Sequence, residues 1–296
     1  MHILTGYSYH LTEGPHLQLD DIASHPTVRY RVPIWERYVG IKLLSTRYCI
    51  GGYDLQTRRS IFCPNRQQAT DKTPYCTHCR QSIQFNPAFY NFSPTQLSRH
   101  QQHYNAEPHD VYLAYFEKNS IKVGIANAKR LRNRWLEQGA RAAVVIQHMP
   151  DAYAARALEL QISTTYSILE RVTSIQKQQY LHVPYNFEQA NTELRRHLDI
   201  LRVGITDIST THPIEDLQKY YFVQKQPSVL YEPTNKSQHT IAGYVAGMVG
   251  DLLVYTQQQY SFIQPIKQLL GQAYVELEES IKLPSLNVQT KLDLFG

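Results

Sequence analysis

Four cysteines within one short stretch are the residues whose type and spacing most directly indicate chemistry. Two residues separate Cys76 from Cys79, a spacing at which one tight turn presents two sulfur atoms to the same ion. Cys49 and Cys63 each lie just before a turn signal and can supply the other two ligands. Because all the cysteines of the protein fall within 31 residues, we predict that these four bind one structural zinc ion. Unrelated buried thiols, or a redox pair with two bystanders, are the alternative.

The composition is that of an ordinary globular protein. The chain has 296 residues, 42% of them hydrophobic, which is enough for two or three domains. No apolar stretch approaches the roughly 20 residues of a membrane helix, and no secretory signal follows Met1. Four cysteines are too few for a disulfide scaffold. We therefore expect a cytoplasmic protein with no membrane partner, and the oligomeric state stays open.

The positive charge is unevenly distributed along the chain. The net charge is only +5, but the segment from Arg29 to Arg80 holds ten Lys or Arg against three acids. A basic region of this kind suits contact with the phosphates of nucleic acid.

The pattern of strands, helices and turn residues predicts an α+β protein of three parts and a linker. A zinc-stabilised β domain is expected over residues 1–84 and a packed, irregular linker over 85–108. A small antiparallel sheet flanked by helices follows over 109–203. A β-rich domain with glycine-punctuated strands is expected over 204–296.

The central part carries the clearest local signals. Alternating apolar residues predict a β-hairpin, and the segment after it has a helical composition that ends at Gly139, a residue suited to a helix C-cap. Another strand follows, and then a helix with Asp151 at its N-cap. The predicted elements are strands Val111–Phe116 and Ile121–Ile125, helix Ala128–Gln138 and strand Ala142–Gln147.

The helix after the hairpin carries four cations, Lys129, Arg130, Arg132 and Arg134. Such a cluster beside a small sheet suits phosphate groups. The other interpretation is a solvated helix face. Three histidines in and beside the linker, His100, His103 and His109, are expected to be solvated.

The sequences HDVYLAYF, IKVGIA and KRLRNRW, followed by Glu159 on the next helix, resemble a degenerate GIY-YIG nuclease core. Residues 110–112 stand at the first triplet and residues 122–124 at the second. The resemblance implies that Tyr112 and Lys122 orient or activate water, and that Arg130 stabilises charge on the phosphate, with Arg132 and Arg134 as rivals. It also implies that Glu159 holds Mg²⁺ or Mn²⁺.

This sequence departs from the GIY-YIG pattern at three positions. Asp110 replaces the first glycine, Lys122 replaces the second tyrosine, and Arg134 occupies a position where many members have histidine. These changes favour weakened or lost catalysis on a retained phosphate-binding surface.

Residues 45–170 also resemble an uncharacterised bacterial family of unknown function that combines a four-cysteine zinc site with a GIY-YIG-like core. The segments that carry this resemblance are QFNPAFYNFSPTQ, KVGIA and RWLEQGA. This resemblance supplies no activity.

Three functions remain open at this point. The first is binding of DNA or RNA without cleavage, through the arginines and the basic zinc domain. The second is an active metal-dependent nuclease that uses Tyr112, Lys122, Arg130 and Glu159. The third is a non-catalytic interaction or assembly factor that docks a protein partner through its C-terminal β region.

Overall fold

The structure is a computed structural model that describes residues 1–70, 73–83, 85–206, 208, 212–231 and 240–279. Residues 280–296 of the predicted C-terminal domain lie outside this description. The chain forms two compact units, one of residues 1–52, 61–80 and 220–296 and one of residues 53–60 and 81–219. Within the described ranges, none of the helices has the length and apolar character needed to cross a membrane.

The described helices and strands are named here in chain order. They are β1 (His2–His10), β2 (Gly14–Asp21), β3 (Val28–Pro33), β4 (Tyr38–Arg47), β5 (Gly52–Asp54), β6 (Arg59–Ile61), α1 (Thr77–Gln81), α2 (Arg99–Asn105), β7 (His109–Glu117), β8 (Ser120–Asn127), α3 (Leu131–Gln138), β9 (Ala142–Met149), α4 (Ala152–Tyr166), α5 (Ser174–Tyr180), α6 (Phe187–Gly204), β10 (Glu215–Asp216), β11 (Thr240–Val249), β12 (Leu252–Gln257), β13 (Tyr260–Pro265) and β14 (Gln272–Glu276).

The first unit is built on an eight-stranded sheet with the order β13-β12-β11-β4-β14-β1-β2-β3. Strand β4 pairs antiparallel with β11 on one side and β14 on the other. Strands from residues 2–47 and from residues 240–276 therefore share one sheet, whereas the sequence predicts separate β domains over 1–84 and 204–296. Alternation of apolar residues identifies a strand but not its distant partner. The domain division predicted from the sequence therefore differs from the one in the structure.

Aromatic and aliphatic side chains on the strands of this sheet are buried. Leu4, Leu253 and Tyr274 are all buried. The rings of Tyr255 and Phe262 stack with centroids 5.6 Å apart. Burial of these amphipathic rings stabilises the sheet through the apolar area that they remove from water.

The second unit contains a four-stranded sheet with the order β10-β9-β7-β8. Strands β7 and β8 form the predicted hairpin, with Tyr112 opposite Gly124 and Ala114 opposite Lys122. Because side chains alternate along a strand, these four residues share one face. The other face carries the apolar cluster Val111, Leu113, Tyr115, Ile121 and Val123, which packs with residues of α4 and α6.

The structure has the predicted caps at Gly139 and Asp151, whereas the predicted helix Ala128–Gln138 begins as a 3-10 turn over Ala128–Arg130. Gly139 follows α3 with a φ of 77°, in the left-handed conformation that ends a helix. The Asp151 side chain accepts a hydrogen bond from the Ala154 N–H at the start of α4. Thr173 and Gln176 form a reciprocal capping box at the start of α5.

The predicted linker, residues 85–108, is part of this second unit. It contains two short 3-10 helices, Phe89–Asn91 and Pro94–Gln96, and helix α2. The tip of the β5–β6 hairpin belongs to the same unit, where Arg58 makes an ion pair with Glu107. The linker thus supplies one wall of a pocket described below.

Arg141, which precedes β9, is a buried charge in the second unit. Its side chain is 2% exposed, and Nη1 lies 2.8 Å from a carboxylate oxygen of Glu117. The guanidinium also donates hydrogen bonds to the carbonyl oxygens of Tyr180 (3.2 Å) and Val183 (3.0 Å). It therefore ties the sheet to the segment that follows α5.

We expect Arg141→Met to lower the free energy of unfolding of this unit by about 3 kcal/mol, because it leaves the Glu117 carboxylate without its buried partner. The matched control is Arg132→Met, since the more exposed Arg132–Glu215 pair should contribute less than about 1 kcal/mol. Urea unfolding followed by Trp135 fluorescence measures both, in a Trp35→Phe background that leaves one reporter in the chain. Equal losses in the two variants would contradict the assigned role of Arg141.

Candidate functional site

The four cysteines lie together in the first unit. Cys49 follows β4, Cys63 follows β6, and Cys76 and Cys79 lie at the start of α1. Their sulfur atoms all lie within 4.8 Å of one another, and the Cys63 and Cys76 sulfurs are 3.9 Å apart. All four are buried. The predicted residues are thus brought to one point from three segments of the chain.

The geometry of the cysteine cluster fits a tetrahedral metal ion. Zinc–sulfur bonds of about 2.3 Å give sulfur–sulfur separations of roughly 3.8 Å in a tetrahedron. The Cys49 and Cys76 sulfurs also accept backbone hydrogen bonds, from Gly51 and Cys79 respectively, each at 3.4 Å. The cluster could therefore hold a metal ion such as zinc.

The burial of the four sulfur atoms also favours binding of a cation. Burial raises the pKa of the Cys49 and Cys79 thiols. Burial alone would raise the pKa of Cys76 as well, but hydrogen bonds from the Cys79 N–H and the neighbouring thiols lower it. Four thiolates gathered in a buried site would repel one another, and a bound cation would remove that repulsion.

Gly51 allows the chain to close around the cysteines. Its φ is +86°, and a Cβ there would collide with the carbonyl oxygen of Ile61. Only glycine combines this conformation with so close an approach.

A pocket of about 350 Å³ opens on the second unit. The Tyr112 face of the β7–β8 hairpin, helices α3 and α4 and the linker form its walls. The four residues predicted to be catalytic, Tyr112, Lys122, Arg130 and Glu159, all line it. Of the other predicted phosphate contacts, Arg134 lines the pocket as well. Lys129 and Arg132 lie elsewhere, 3.6 Å from Glu107 and 2.8 Å from Glu215 respectively.

Tyr112 lies at the bottom of the pocket with no exposed surface. Its hydroxyl donates a hydrogen bond of 3.3 Å to Gln138, and burial raises its pKa to about 12. The ring lies against Gly124, where a Cβ would come within 2.6 Å of the phenol oxygen. The glycine thus makes room for the tyrosine across the hairpin.

Lys122 and Arg134 are the cations of the pocket that no carboxylate balances. Within the described ranges, neither has an acidic oxygen within ion-pair distance (4.0 Å). Burial and the nearby Arg134 guanidinium lower the pKa of Lys122 to about 8, although Glu159 and Glu170 act in the opposite direction. The pocket therefore offers two neighbouring positive charges to an anion.

The carboxylates of the pocket are held by Arg156. Its Nη1 lies 2.6 Å from Glu159 and 2.9 Å from Glu170, and its guanidinium lies over the ring of Tyr90 at 4.4 Å. Burial raises the pKa of Glu159, although the positive charge of Arg156 acts to lower it. Arg156 thus occupies the space between two carboxylates that a divalent cation would need.

This donor set does not fit the Mg²⁺ or Mn²⁺ ion predicted at Glu159. A divalent cation needs several free oxygen ligands, but Glu159 is bonded to one cation and lies near another, Lys122. Across the part of the chain that the structure describes, the four cysteines are the only group of three or more candidate metal ligands.

Arg130 is balanced within the pocket. Its guanidinium lies 2.9 Å from Glu137, seven residues further along the chain. Of the three arginines that compete for the phosphate role, Arg134 is thus the one without a carboxylate partner in the described residues.

Two polar residues of the pocket were not predicted. His109 is 4% exposed and accordingly not solvated, which corrects the expectation from its polar surroundings. Its Nδ1 lies 2.8 Å from the Glu107 carbonyl oxygen, and burial lowers its pKa. Asn105, at the end of α2, is 1% exposed. No local pattern marks either residue, because their burial depends on how the linker packs.

Comparison with known proteins adds a family but no activity. No curated protein and no solved structure gives a significant match. The model of a family described as "Protein of unknown function (DUF2797)" matches residues 38–271, a range that includes the four cysteines and every residue of the pocket. Since this match spans well over half of the chain, the protein belongs to that family.

Proposed function

We propose that the protein binds nucleic acid, DNA or RNA, through phosphate contacts in the pocket of the second unit and does not cleave it. The observation that carries this proposal is the pair Lys122 and Arg134, two neighbouring cations without a carboxylate partner in the described part of the chain. We also propose that the four cysteines hold one structural zinc ion.

The charge balance of the pocket favours a phosphate ligand. Burial lowers the pKa of Lys122, and repulsion by the neighbouring Arg134 charge lowers it further. An anion between them relieves the repulsion. A phosphate oxygen accepts charge-assisted hydrogen bonds from both groups.

Aromatic rings at the same pocket support a nucleic acid over a simple phosphate. Phe85 and Tyr90 line the pocket and keep 38% and 45% of their surface exposed. Exposed rings beside cations are the combination that binds single-stranded nucleic acids, because bases stack on the rings while the backbone meets the charges.

The resemblance to a GIY-YIG core supports the same choice of ligand but not hydrolysis. The hairpin bearing Tyr112 and Gly124, the helix bearing Arg134 and the helix bearing Glu159 follow in the expected order. With a pKa of about 12, Tyr112 stays protonated at neutral pH, and Glu159 is bonded to Arg156. We infer a site that holds phosphate without a metal-activated water.

The zinc proposal rests on the composition and closure of the cysteine cluster. Four thiolates complete a tetrahedron and leave no position for substrate, so the ion would be structural. Bound there, it would join the segments at Cys49, Cys63 and Cys76, and its affinity would add to the stability of the folded unit.

We expect one zinc ion per chain by native mass spectrometry and elemental analysis. Cys63→Ser should lose the ion and lower the stability of the first unit by at least about 3 kcal/mol. Trp35 fluorescence in a Trp135→Phe background reports on this unit. The control is Ser60→Ala, an exposed substitution close to Cys63 that should leave both the zinc content and the unfolding curve unchanged. A metal-free wild-type protein that unfolds like the zinc-loaded one would contradict the structural role.

Lys122→Met and Arg134→Met should each weaken binding of fluorescein-labelled DNA or RNA oligonucleotides by roughly tenfold, as loss of a charge-assisted hydrogen bond predicts. Fluorescence anisotropy at about 50 mM salt measures the affinity, which should fall steeply as salt is added.

The matched control is Arg132→Met on the same helix, which removes an arginine that pairs with Glu215 outside the pocket. It should change the affinity by less than about threefold. Absence of binding to any oligonucleotide, together with recovery of a stoichiometric protein partner, would favour an interaction factor. Cleavage in Mg²⁺ or Mn²⁺ that Glu159→Ala abolishes would establish a nuclease.

The affinity should also fall between about pH 7 and pH 9, because Lys122, with a pKa lowered to about 8, loses its proton over this range. Lys122→Met should bind more weakly and show little change over the same range. Anisotropy titrations at constant ionic strength test this. A fall of the same size in the variant would show that another group controls the pH dependence.

A further inference from the structure

The Asn105 side chain is a buried amide that nothing in the described residues satisfies. It is 1% exposed, and neither its Oδ1 nor its Nδ2 has a hydrogen-bond partner there. The residue lines the same pocket as Lys122 and Arg134. Burial of an unpaired amide is unfavourable and uncommon, so a ligand that completes its hydrogen bonds would gain affinity.

The chemistry of an amide limits what that ligand can be. Oδ1 needs a donor and Nδ2 needs an acceptor, side by side. Phosphate oxygens at neutral pH only accept, so a phosphate could satisfy Nδ2 but not Oδ1. A nucleobase edge presents a donor beside an acceptor, and the amino group and ring nitrogen of adenine match an asparagine amide in two hydrogen bonds.

The His109 imidazole also favours a ligand that donates a hydrogen bond. His109 uses its Nδ1 in a hydrogen bond of 2.8 Å with the Glu107 carbonyl oxygen, which assigns the proton to Nδ1 and leaves Nε2 as an acceptor. An exocyclic amino group has two hydrogens to donate. Asn127, which also lines the pocket, bonds through both of its amide atoms to Glu107 and to the Lys129 N–H, so its amide is already satisfied.

We propose that the pocket takes one unstacked nucleotide, with its phosphate on Lys122 and Arg134 and the edge of an adenine base on the Asn105 amide. The inference rests on the proposed nucleic-acid binding and adds the base that is read. A volume of about 350 Å³ falls in the range of small-molecule sites. The aromatic rings of the linker border the same space and offer surfaces for stacking.

Two kinds of molecule could supply an adenine nucleotide to this pocket. One is a nucleic-acid strand and the other is a free mononucleotide. The probes are fluorescein-labelled dA, dT and rA homopolymers of about twelve nucleotides, with AMP and thymidine monophosphate as unlabelled competitors. We expect the A homopolymers to bind at least about tenfold more tightly than dT. An unpaired thymine can also meet an amide through its N3–H and a carbonyl oxygen, but it has no second N–H to donate to Nε2 of His109. Displacement by AMP at concentrations close to those of the homopolymer would indicate a free nucleotide, and displacement only by homopolymers would indicate a strand.

Asn105→Leu tests the residue directly. The variant should bind both the A and the T homopolymers more weakly than the wild type does, because the amide can meet the edge of either base. Its Tm should equal or exceed that of the wild type, because an unpaired amide is replaced by an apolar group of similar size. The matched control is Asn127→Leu, which breaks satisfied hydrogen bonds and should lower the Tm.

The outcomes separate this inference from the proposed function. If every oligonucleotide binds, with salt dependence and with losses in Lys122→Met and Arg134→Met but no preference for A over T, the inference fails and the proposed function stands. If no oligonucleotide binds, both fail, and binding of AMP alone would keep the nucleotide site without the nucleic acid. An unchanged affinity for the A homopolymers in Asn105→Leu, or a Tm loss like that of Asn127→Leu, would also overturn the role of Asn105.

Discussion

The register of the β7–β8 hairpin is the constraint on which the pocket of the second unit depends. With Tyr112 opposite Gly124 and Ala114 opposite Lys122, one face of the hairpin carries the phenol and the amine, and the other carries Val111, Leu113 and Val123 in the core. A shift of one residue would place the amine in the core and apolar side chains at the pocket. The apolar face therefore fixes the polar one, since only this register buries the valines and leucine.

Arg156 decides what chemistry that face can support. A hydrolytic metal site needs carboxylate oxygens free to bind the ion, and Arg156 takes up those of Glu159 and Glu170. The same pairing leaves Lys122 and Arg134 without carboxylate partners in the described residues. One salt-bridge network thus accounts both for the poor fit to Mg²⁺ and for the surplus positive charge. This is the physical reason for favouring a binding site over a cleaving one.

Local signals made part of this structure predictable from sequence. The hairpin, α3, β9 and α4 follow from periodicity and from caps such as Gly139 and Asp151, which act within one helical turn. The cysteine cluster was predictable because the type and spacing of its residues are those that a tetrahedral metal ion would require. The insertion of β4 between β11 and β14 was not, because strand pairing between residues 200 positions apart leaves no periodic trace. Burial of Asn105 and His109 depends in the same way on how the linker packs.

The groups of the pocket share a property that argues for a ligand more strongly than any one of them does. Lys122 is a cation kept partly from water, Glu159 is a buried carboxylate with a raised pKa, and Asn105 is an amide without partners in the described residues. Each alone makes the folded state less stable than an apolar replacement would. If such destabilising groups were scattered over a protein, they would indicate only imperfect packing. Gathered around one cavity, with donors and acceptors on different walls, they are complementary to a molecule that carries a negative charge at one end and a hydrogen-bonding ring edge at the other.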